Sequence, residues 1–380
     1  MLALRLRNPA VTSLLASELL RPLDSPWRRT LQDLGLGFRG VTTNTQTRRL
    51  GYLSAATKLM SLDPIPLERL AVQLVEWNTD NRRALEAYDS QKGVAESLSA
   101  ARRYLELAKG FGMATALGSG LQLSDDGLLL KTLLPKETSF ALTVAEKLFY
   151  LGQLLAYDAD TLLALAAWLS RETDPPTLSF LQRGFQGAFL DWLRPRARST
   201  TNESAQRSLS DRVKKIEGWK KPEKYAEHVV APRLHWLLDL GLLDVAAFHN
   251  ATFVLTRPAR TFFEALTETN SVPDPDWILG DLVPAASFLD SQAVVRPPSD
   301  DELAEQLRQS LSALRVGVIP RVKFDIAIRH VSLRLAADEH IYASGDSVVS
   351  RLDASSELAE AIGVRIHRSA RARESYILLE

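Results

Sequence analysis

Residues 234–243 read LHWLLDLGLL, and residues 253–256 read FVLT. The first stretch is the close of an amphipathic helix that stops at Gly241. The segment Phe248–Leu255 then predicts a β-hairpin, and Thr256 caps a helix carrying Phe262, Phe263 and Leu266. A similar ending occurs earlier. Leu98, Ala101, Leu105 and Ala108 predict the buried face of a helix that ends at Gly110 and Gly112, where left-handed glycine caps are expected. Ala114–Leu123, with Gly118 and Gly120 inside it, predicts a hairpin, and Ser124 caps a helix carrying Asp125 and Asp126 at its positive end. Gly112 lies 12 residues before Ser124 and Gly241 lies 15 before Thr256, while both caps lie 10 residues before a leucine, Leu134 or Leu266. Equal helices with hairpins of unequal length are what a repeated unit with variable loops gives.

Working outward, Leu67, Leu70, Ala71, Leu74 and Val75 predict a helix, and a second is expected over about Asn81–Tyr88. Two strong helices are expected over about 142–155, after caps at Thr138 and Ser139, and over about 159–170. A further one is expected over about 177–193. In residues 1–60, Leu14, Leu15, Leu19 and Leu20 predict a short amphipathic helix, broken by Pro22 and Pro26, and a Gly- and Thr-rich loop or short strand is expected over 35–47. The segment 194–224 carries ten basic residues (Arg194, Arg196, Arg198, Arg207, Arg212, Lys214, Lys215, Lys220, Lys221 and Lys224) against four acidic ones, a surplus of six positive charges. It reads as an exposed, partly mobile insertion. Pro273, Pro275, Pro284, Pro297 and Pro298 mark 268–299 as a linker. A helix is expected over 300–314. Val364–His367 and Tyr376–Leu379 are expected to pair as strands around a tip with Arg368, Arg371 and Arg373.

The pattern of amphipathic helix, LGLL, hairpin, LT and helix resembles the winged-helix family of DNA-binding domains. The residues that carry the resemblance are Trp236, Leu237, Leu238, Leu240, Gly241, Leu242, Leu243, Phe253, Val254, Leu255, Thr256, Ala259 and Phe262. In the first copy they are Leu105, Ala108, Gly110, Met113, Leu121, Leu123, Ser124, Gly127 and Leu128. The expected fold is mainly α with short β-hairpin wings, in tandem winged-helix domains. Its divisions are an N-terminal segment 1–60, a first domain 61–136, a second 137–267 interrupted by the basic insertion, a Pro-rich linker 268–299, and a C-terminal α/β domain 300–380 that can hold a third copy. The resemblance implies a helix for the major groove and a wing for the backbone or minor groove. Ser97, Ser99, Arg102 and Arg103 would face outward in the first copy, and Lys224, His228 and Arg233 in the second. The candidate nucleic-acid contacts are therefore Arg102, Arg103, the ten basic residues of 194–224, Arg233, Arg371 and Arg373.

The chain has 380 residues, 46 basic and 46 acidic, and no cysteine. The length predicts two or three domains. Charge balance excludes nucleic-acid binding through net charge alone and leaves a local basic patch as the route. The missing cysteine excludes disulfides, cysteine-ligated metals and thiol catalysis. Arg5 and Arg7 interrupt any signal-peptide core, and the longest apolar run, Thr161–Leu169, is too short to cross a bilayer, so a cytoplasmic protein with no membrane partner is expected. Neither a P-loop nor a GxSxG elbow occurs, and no pair of histidines has HExxH spacing. His228 and His235 share a helix face without an evident carboxylate. Asp274 and Asp276 fall in the Pro-rich linker, Asp300–Asp301–Glu302 suit a helix N-terminus, and Lys323 and Asp325 alternate on an expected strand without a paired acid. No catalytic residue, metal or cofactor is expected.

The sequence thus predicts a non-enzymatic DNA-binding protein with protein partners, a subunit of a larger assembly. Architecture alone gives an analogy to chains found beside restriction, phage-defence and chromosome-organising machines. The alternatives are an adaptor whose winged helices bind protein, and a ligand-responsive transcription regulator with a sensor in 138–193.

Overall fold

The computed structural model describes residues 37–82, 95–136, 140–245, 251–268, 272–316, 321–354, 360, 362–369 and 375–379. The expected helix around Leu14–Leu20, nearly all of that over Asn81–Tyr88, the caps Thr138 and Ser139, and Arg371 and Arg373 lie outside those residues.

One order of elements occurs three times. The first instance runs α1 (Gly51–Leu59), β1 (Ile65–Pro66), α2 (Leu67–Asp80), α3 (Leu98–Gly110), β2 (Ala114–Leu117) and β3 (Gly120–Leu123), and continues into α4 (Asp125–Leu133). Its sheet has the order β1-β3-β2, so the early short strand lies against the second arm of the hairpin. Two nearly continuous helices follow, α5 (Val144–Tyr157) and α6 (Ala159–Arg171). The second instance uses α6, a single bridging residue Thr177, α7 (Leu178–Ser199), α8 (Glu203–Glu217), α9 (Pro222–Asp239) and the hairpin β4 (Leu243–Val245) with β5 (Phe253–Leu255), and leads into α10 (Arg257–Thr267). Thr177 bridges Thr252 just before β5, so the early strand again meets the second arm. After α11 (Pro275–Gly280) and α12 (Leu282–Ala285), the third instance runs α13 (Asp300–Leu314), β6 (Arg321–Lys323), α14 (Phe324–Glu339), α15 (Gly345–Ala354), β7 (Val364–His367) and β8 (Tyr376–Leu379), with sheet order β6-β8-β7.

Local chemistry explains the repetition. Gly112, Gly241 and Gly363 all have positive φ (68°, 74° and 71°) directly before the hairpin. In the first two, the amides of Gly112 and Met113 reach the carbonyls of Lys109 and Ala108, and those of Gly241 and Leu242 reach Leu238 and Leu237. This is the paired-bond helix ending that needs a left-handed residue, which glycine adopts without a Cβ clash. The hairpins then close alike: Ser124 donates its amide to Met113 and Thr256 its amide to Leu242. The hydroxyls of the same two residues accept from Gly127 and Ala259, capping α4 and α10.

Several expectations need correction. α1 packs against α2, α3 and α4, so residues 51–59 belong with the first repeat and not with a separate N-terminal segment. The second hairpin begins at Leu243, because the chain leaves Gly241 straight into a strand. Leu98 is exposed; it follows the cap Ser97 and points away from the face formed by Ala101, Tyr104, Leu105 and Ala108. α5 is capped by Thr143 in a reciprocal pair with Glu146. α7 runs on to Ser199 through Pro195, because Leu193, Arg196 and Ala197 on its last turns are buried. The expected linker is folded: Asp274 caps α11, and Trp277, Leu282 and Val283 are buried against α5. Lys323 ends its strand and Asp325 lies in the first turn of α14, so the two do not alternate on a strand.

α5 is buried on nearly every side and touches all three repeats, as a helix apolar all round must be. The irregular segment 38–50 is held by polar bonds from two repeats. The amides of Arg39 and Val41 donate to Asp160 and Asp158 (both 2.9 Å), Trp236 Nε1 donates to the Thr47 carbonyl, and the Arg49 amide donates to the Tyr104 hydroxyl.

His330 on α14 is a buried core residue whose Nδ1 lies 2.7 Å from the Ser310 hydroxyl. Burial, helped by Arg334, pushes its pKa from 6.5 down to about 3. The ring is therefore neutral in the fold and protonated in the unfolded chain below pH 6.5. Stability is full above that value and falls as pH drops toward 3, by up to about 1.4 kcal/mol per pH unit. Urea unfolding at pH 6.5 and 5.0 is expected to show this loss in the parent and a smaller one in His330→Gln; equal losses would remove His330 from the acid response.

Candidate nucleic-acid interface

The basic segment 194–224, expected as an insertion, is folded into helices and their turns. It is the end of α7, all of α8 and the start of α9, and α8 and α9 each pack along α7. Leu209 and Ile216 bury one side of α8, which is why the charge lies on the other. Asn202 caps α8 through the amide of Ala205, and Pro222 starts α9.

This packing sorts the candidates. Arg194, Arg198, Arg207, Lys214, Lys215, Lys220, Lys221 and Lys224 are exposed. Arg194 is bonded to Glu217 at 2.7 Å. Among the described residues the five lysines have no carboxylate within ion-pair distance. Two candidates turn inward and are corrected. Arg196 is buried and paired with Asp160, which also accepts from Trp192 Nε1 at 3.1 Å. Burial, with Arg39 close by, lowers the Arg196 pKa to about 10. Arg233 is 1 % exposed and forks onto Asp158 through Nε (2.7 Å) and Nη2 (2.6 Å). Its Nη1 donates to the Val229 carbonyl and the Thr43 hydroxyl, and its Nη2 also to the Val41 carbonyl. Arg212 is half-buried, with its guanidinium 4.4 Å from the centre of the Phe38 ring. Arg196 and Arg233 are engaged inside the fold, and Arg212 lies against the Phe38 ring.

On the first repeat, Arg102 and Arg103 are exposed on α3, as read from the sequence. Arg102 is bound to Glu68 on α2, and Lys109 on the same helix to Glu106 (2.6 Å). Arg103 has no ion-pair partner among the described residues. Ser97 is engaged as the cap of α3. The second repeat differs, because the C-terminal half of α9 is buried under segment 38–50 and neighbouring helices. Only Lys224, Tyr225 and their neighbours in its first turns reach the surface, and His228 is half-buried with its carbonyl bonded to Thr43. In the third repeat, Arg351 is bonded to Asp300 and Arg368 to Asp353 (both 2.6 Å). Asp300, Asp301 and Glu302 do occupy the first turn of α13, with Ser299 and Glu302 capping each other.

The sequence reading passed over two aromatic residues. Trp219 and Tyr225, in the stretch WKKPEKY, stack with ring centres 5.4 Å apart and planes at 23°. Aromatic residues interleaved with lysines were the available signal.

A cleft of about 180 Å³ between the first and third repeats is lined by Asp126, Gln153, Tyr157, Ile278, Asp325 and Arg329. Arg329 is held by Asp126 at 2.8 Å, and burial raises the Asp325 pKa. Two carboxylates against one engaged guanidinium make it unsuited to phosphate.

No protein-family model matches the chain, and no curated protein matches it. A solved structure of the restriction endonuclease FokI superposes with a TM-score of 0.33 at 11 % identity, covering 90 % of this chain and 64 % of that one. The chain thus spans less than two thirds of the FokI chain, and a likeness this loose transfers neither fold nor activity. Among the described residues no helix is long and apolar enough to cross a membrane.

Proposed function

We propose that the chain is a non-enzymatic DNA-binding protein built of tandem winged-helix units, acting as a subunit of a larger DNA-processing or defence assembly. The threefold order of helix, strand, helices and hairpin, with the early strand always on the second hairpin arm, supports the winged-helix reading. One observation carries the nucleic-acid reading. Lys214 and Lys215 on α8, Lys220 and Lys221 in the turn that follows and Lys224 at the start of α9 form an exposed cluster without carboxylate partners among the described residues. Lysines so placed suit phosphate contacts, which position a duplex without reading its sequence. This narrows the expected contact from the third helices, the whole basic segment and the C-terminal tip to the α8–α9 corner.

The adaptor reading has its own support on the first repeat. Leu98 on α3, Val72 on α2 and Leu117 at the hairpin turn are exposed, Leu117 by 57 %. Exposed apolar side chains suit a protein partner better than a phosphate backbone. We assign partner binding to the first repeat and nucleic acid to the second.

The test is binding of the purified chain to a labelled random-sequence duplex across a salt series. Five phosphate contacts predict a log–log slope of about −4.5. No binding at low salt would sink the reading and leave the adaptor.

A further inference from the structure

We infer that the α8–α9 corner takes unpaired nucleobases, stacked on the outer face of Tyr225 and held by phosphate contacts to the surrounding lysines. The inference rests on the nucleic-acid reading above and narrows its ligand.

Tyr225 is 51 % exposed. It lies one turn into α9, with its ring stacked on Trp219 and about half of its surface in water. Behind it, Trp219 is half-buried and packs onto the hydrophobic core. Trp219 is fixed by the turn that ends α8, its amide donating to the Ile216 carbonyl at 3.1 Å. Tyr225 is fixed by helix α9, its amide donating to the Lys221 carbonyl at 3.2 Å. Pro222 presets the backbone between them. One ring is thus anchored in the core, a second is stacked on it, and the outer face of the second is open to solvent. A rigid aromatic face held in water is a ready stacking surface, because little side-chain freedom is lost when a flat ligand lands on it.

The surrounding charge selects the flat ligand. Between residues 214 and 224 there are five lysines against Glu217 and Glu223, and Glu217 is already bonded to Arg194. The site therefore favours a polyanion that carries planar groups, which describes a nucleic-acid strand. Within a duplex each base face is covered by its neighbours, so only bases outside a duplex can reach Tyr225. Lysines are point charges on flexible stems and follow a backbone of any sequence. Stacking is equally tolerant, since every base has a π-face. The site should show little sequence preference and a clear preference for unpaired over paired strands.

The experiment is fluorescence anisotropy of the full chain at low salt with two probes, a labelled oligothymidylate of about twelve nucleotides and a mixed-sequence duplex of the same length. Tyr225→Ala is expected to weaken oligothymidylate binding by about tenfold, leave duplex affinity within about twofold, and leave the melting curve unchanged. Tyr225→Phe, which keeps the ring, is expected to bind as the parent does. If Tyr225→Ala binds the oligothymidylate like the parent while duplex binding persists, the stacking inference is overturned and the nucleic-acid reading stands. If the parent binds neither probe, both fall. If polyglutamate displaces the oligothymidylate at equal charge concentration, the site recognises charge alone and the inference is again overturned.

Discussion

Replacing Arg233 with methionine is expected to destabilise the protein by about 3–5 kcal/mol, a large share of the roughly 5–15 kcal/mol that an ordinary domain has. The guanidinium is 1 % exposed and its partner Asp158 is fully buried. Methionine fills much of the volume but leaves the carboxylate without its counter-charge. Burial already raises the Asp158 pKa, with Arg233 opposing that shift. Once Arg233 is gone, Asp158 must take up a proton or stay charged in a dry interior, and both cost folding free energy. The loss extends beyond the pair, because Arg233 also binds the Val41 carbonyl and the Thr43 hydroxyl and so ties segment 38–50 to α9. The double variant Asp158→Asn with Arg233→Met should recover part of the loss, since no charge is then left unpaired. Urea unfolding of the parent, the two single variants and the double variant gives the coupling directly. A loss under about 1 kcal/mol for Arg233→Met would mean that the pair is solvated and that Arg233 is free to serve as a surface contact.

That case shows where a sequence can be read and where it cannot. The glycine endings at Gly112 and Gly241 and the caps Ser124 and Thr256 were legible because every bond that defines them spans a few residues. The arms of the first hairpin were legible for the same reason, whereas the first arm of the second, Leu243–Val245, was taken for the end of the preceding helix. Arg233 and Arg196 were misread because their partners, Asp158 and Asp160, are 75 and 36 residues away. An arginine in a basic or mixed stretch looks solvated until its partner is known. A local sign was present for Arg233: Val229, Val230, Trp236 and Leu237 surround it at spacings of three and four, so its side chain had to leave on an apolar face. The third repeat was harder to see because its connecting segments differ and only Gly363 before VRIH marks its hairpin. The folded state of 272–299 was hidden by prolines that occupy first helical turns (Pro275) or short helices (Pro284), positions proline tolerates. The candidate interface was half legible. Its lysines stood out as a charge run, whereas their freedom from carboxylates and the stacked pair beside them depend on how α8 and α9 pack.

The second large effect concerns those lysines. Changing Lys214, Lys215, Lys220 and Lys221 together to alanine is expected to weaken binding to a random duplex by about three orders of magnitude near 0.1 M salt. The figure follows from counterion release: each phosphate contact contributes about 0.9 to the slope of log affinity against log salt, so four lost contacts flatten it by about 3.6. All four side chains are exposed and lack carboxylate partners among the described residues, so the fold should change by less than about 0.5 kcal/mol per site. Loss of binding can then be assigned to the interface and not to unfolding, a separation that Arg196 or Arg233 variants cannot give. Replacing the same four with arginine should restore affinity, because phosphate contact needs charge at that place more than it needs the ammonium group. Binding measured across a salt series for the parent, the alanine variant and the arginine variant decides the matter. If the alanine variant keeps the parent's slope, the phosphate contacts lie elsewhere, and Arg103 on α3, exposed and without an ion-pair partner among the described residues, becomes the side chain to change next.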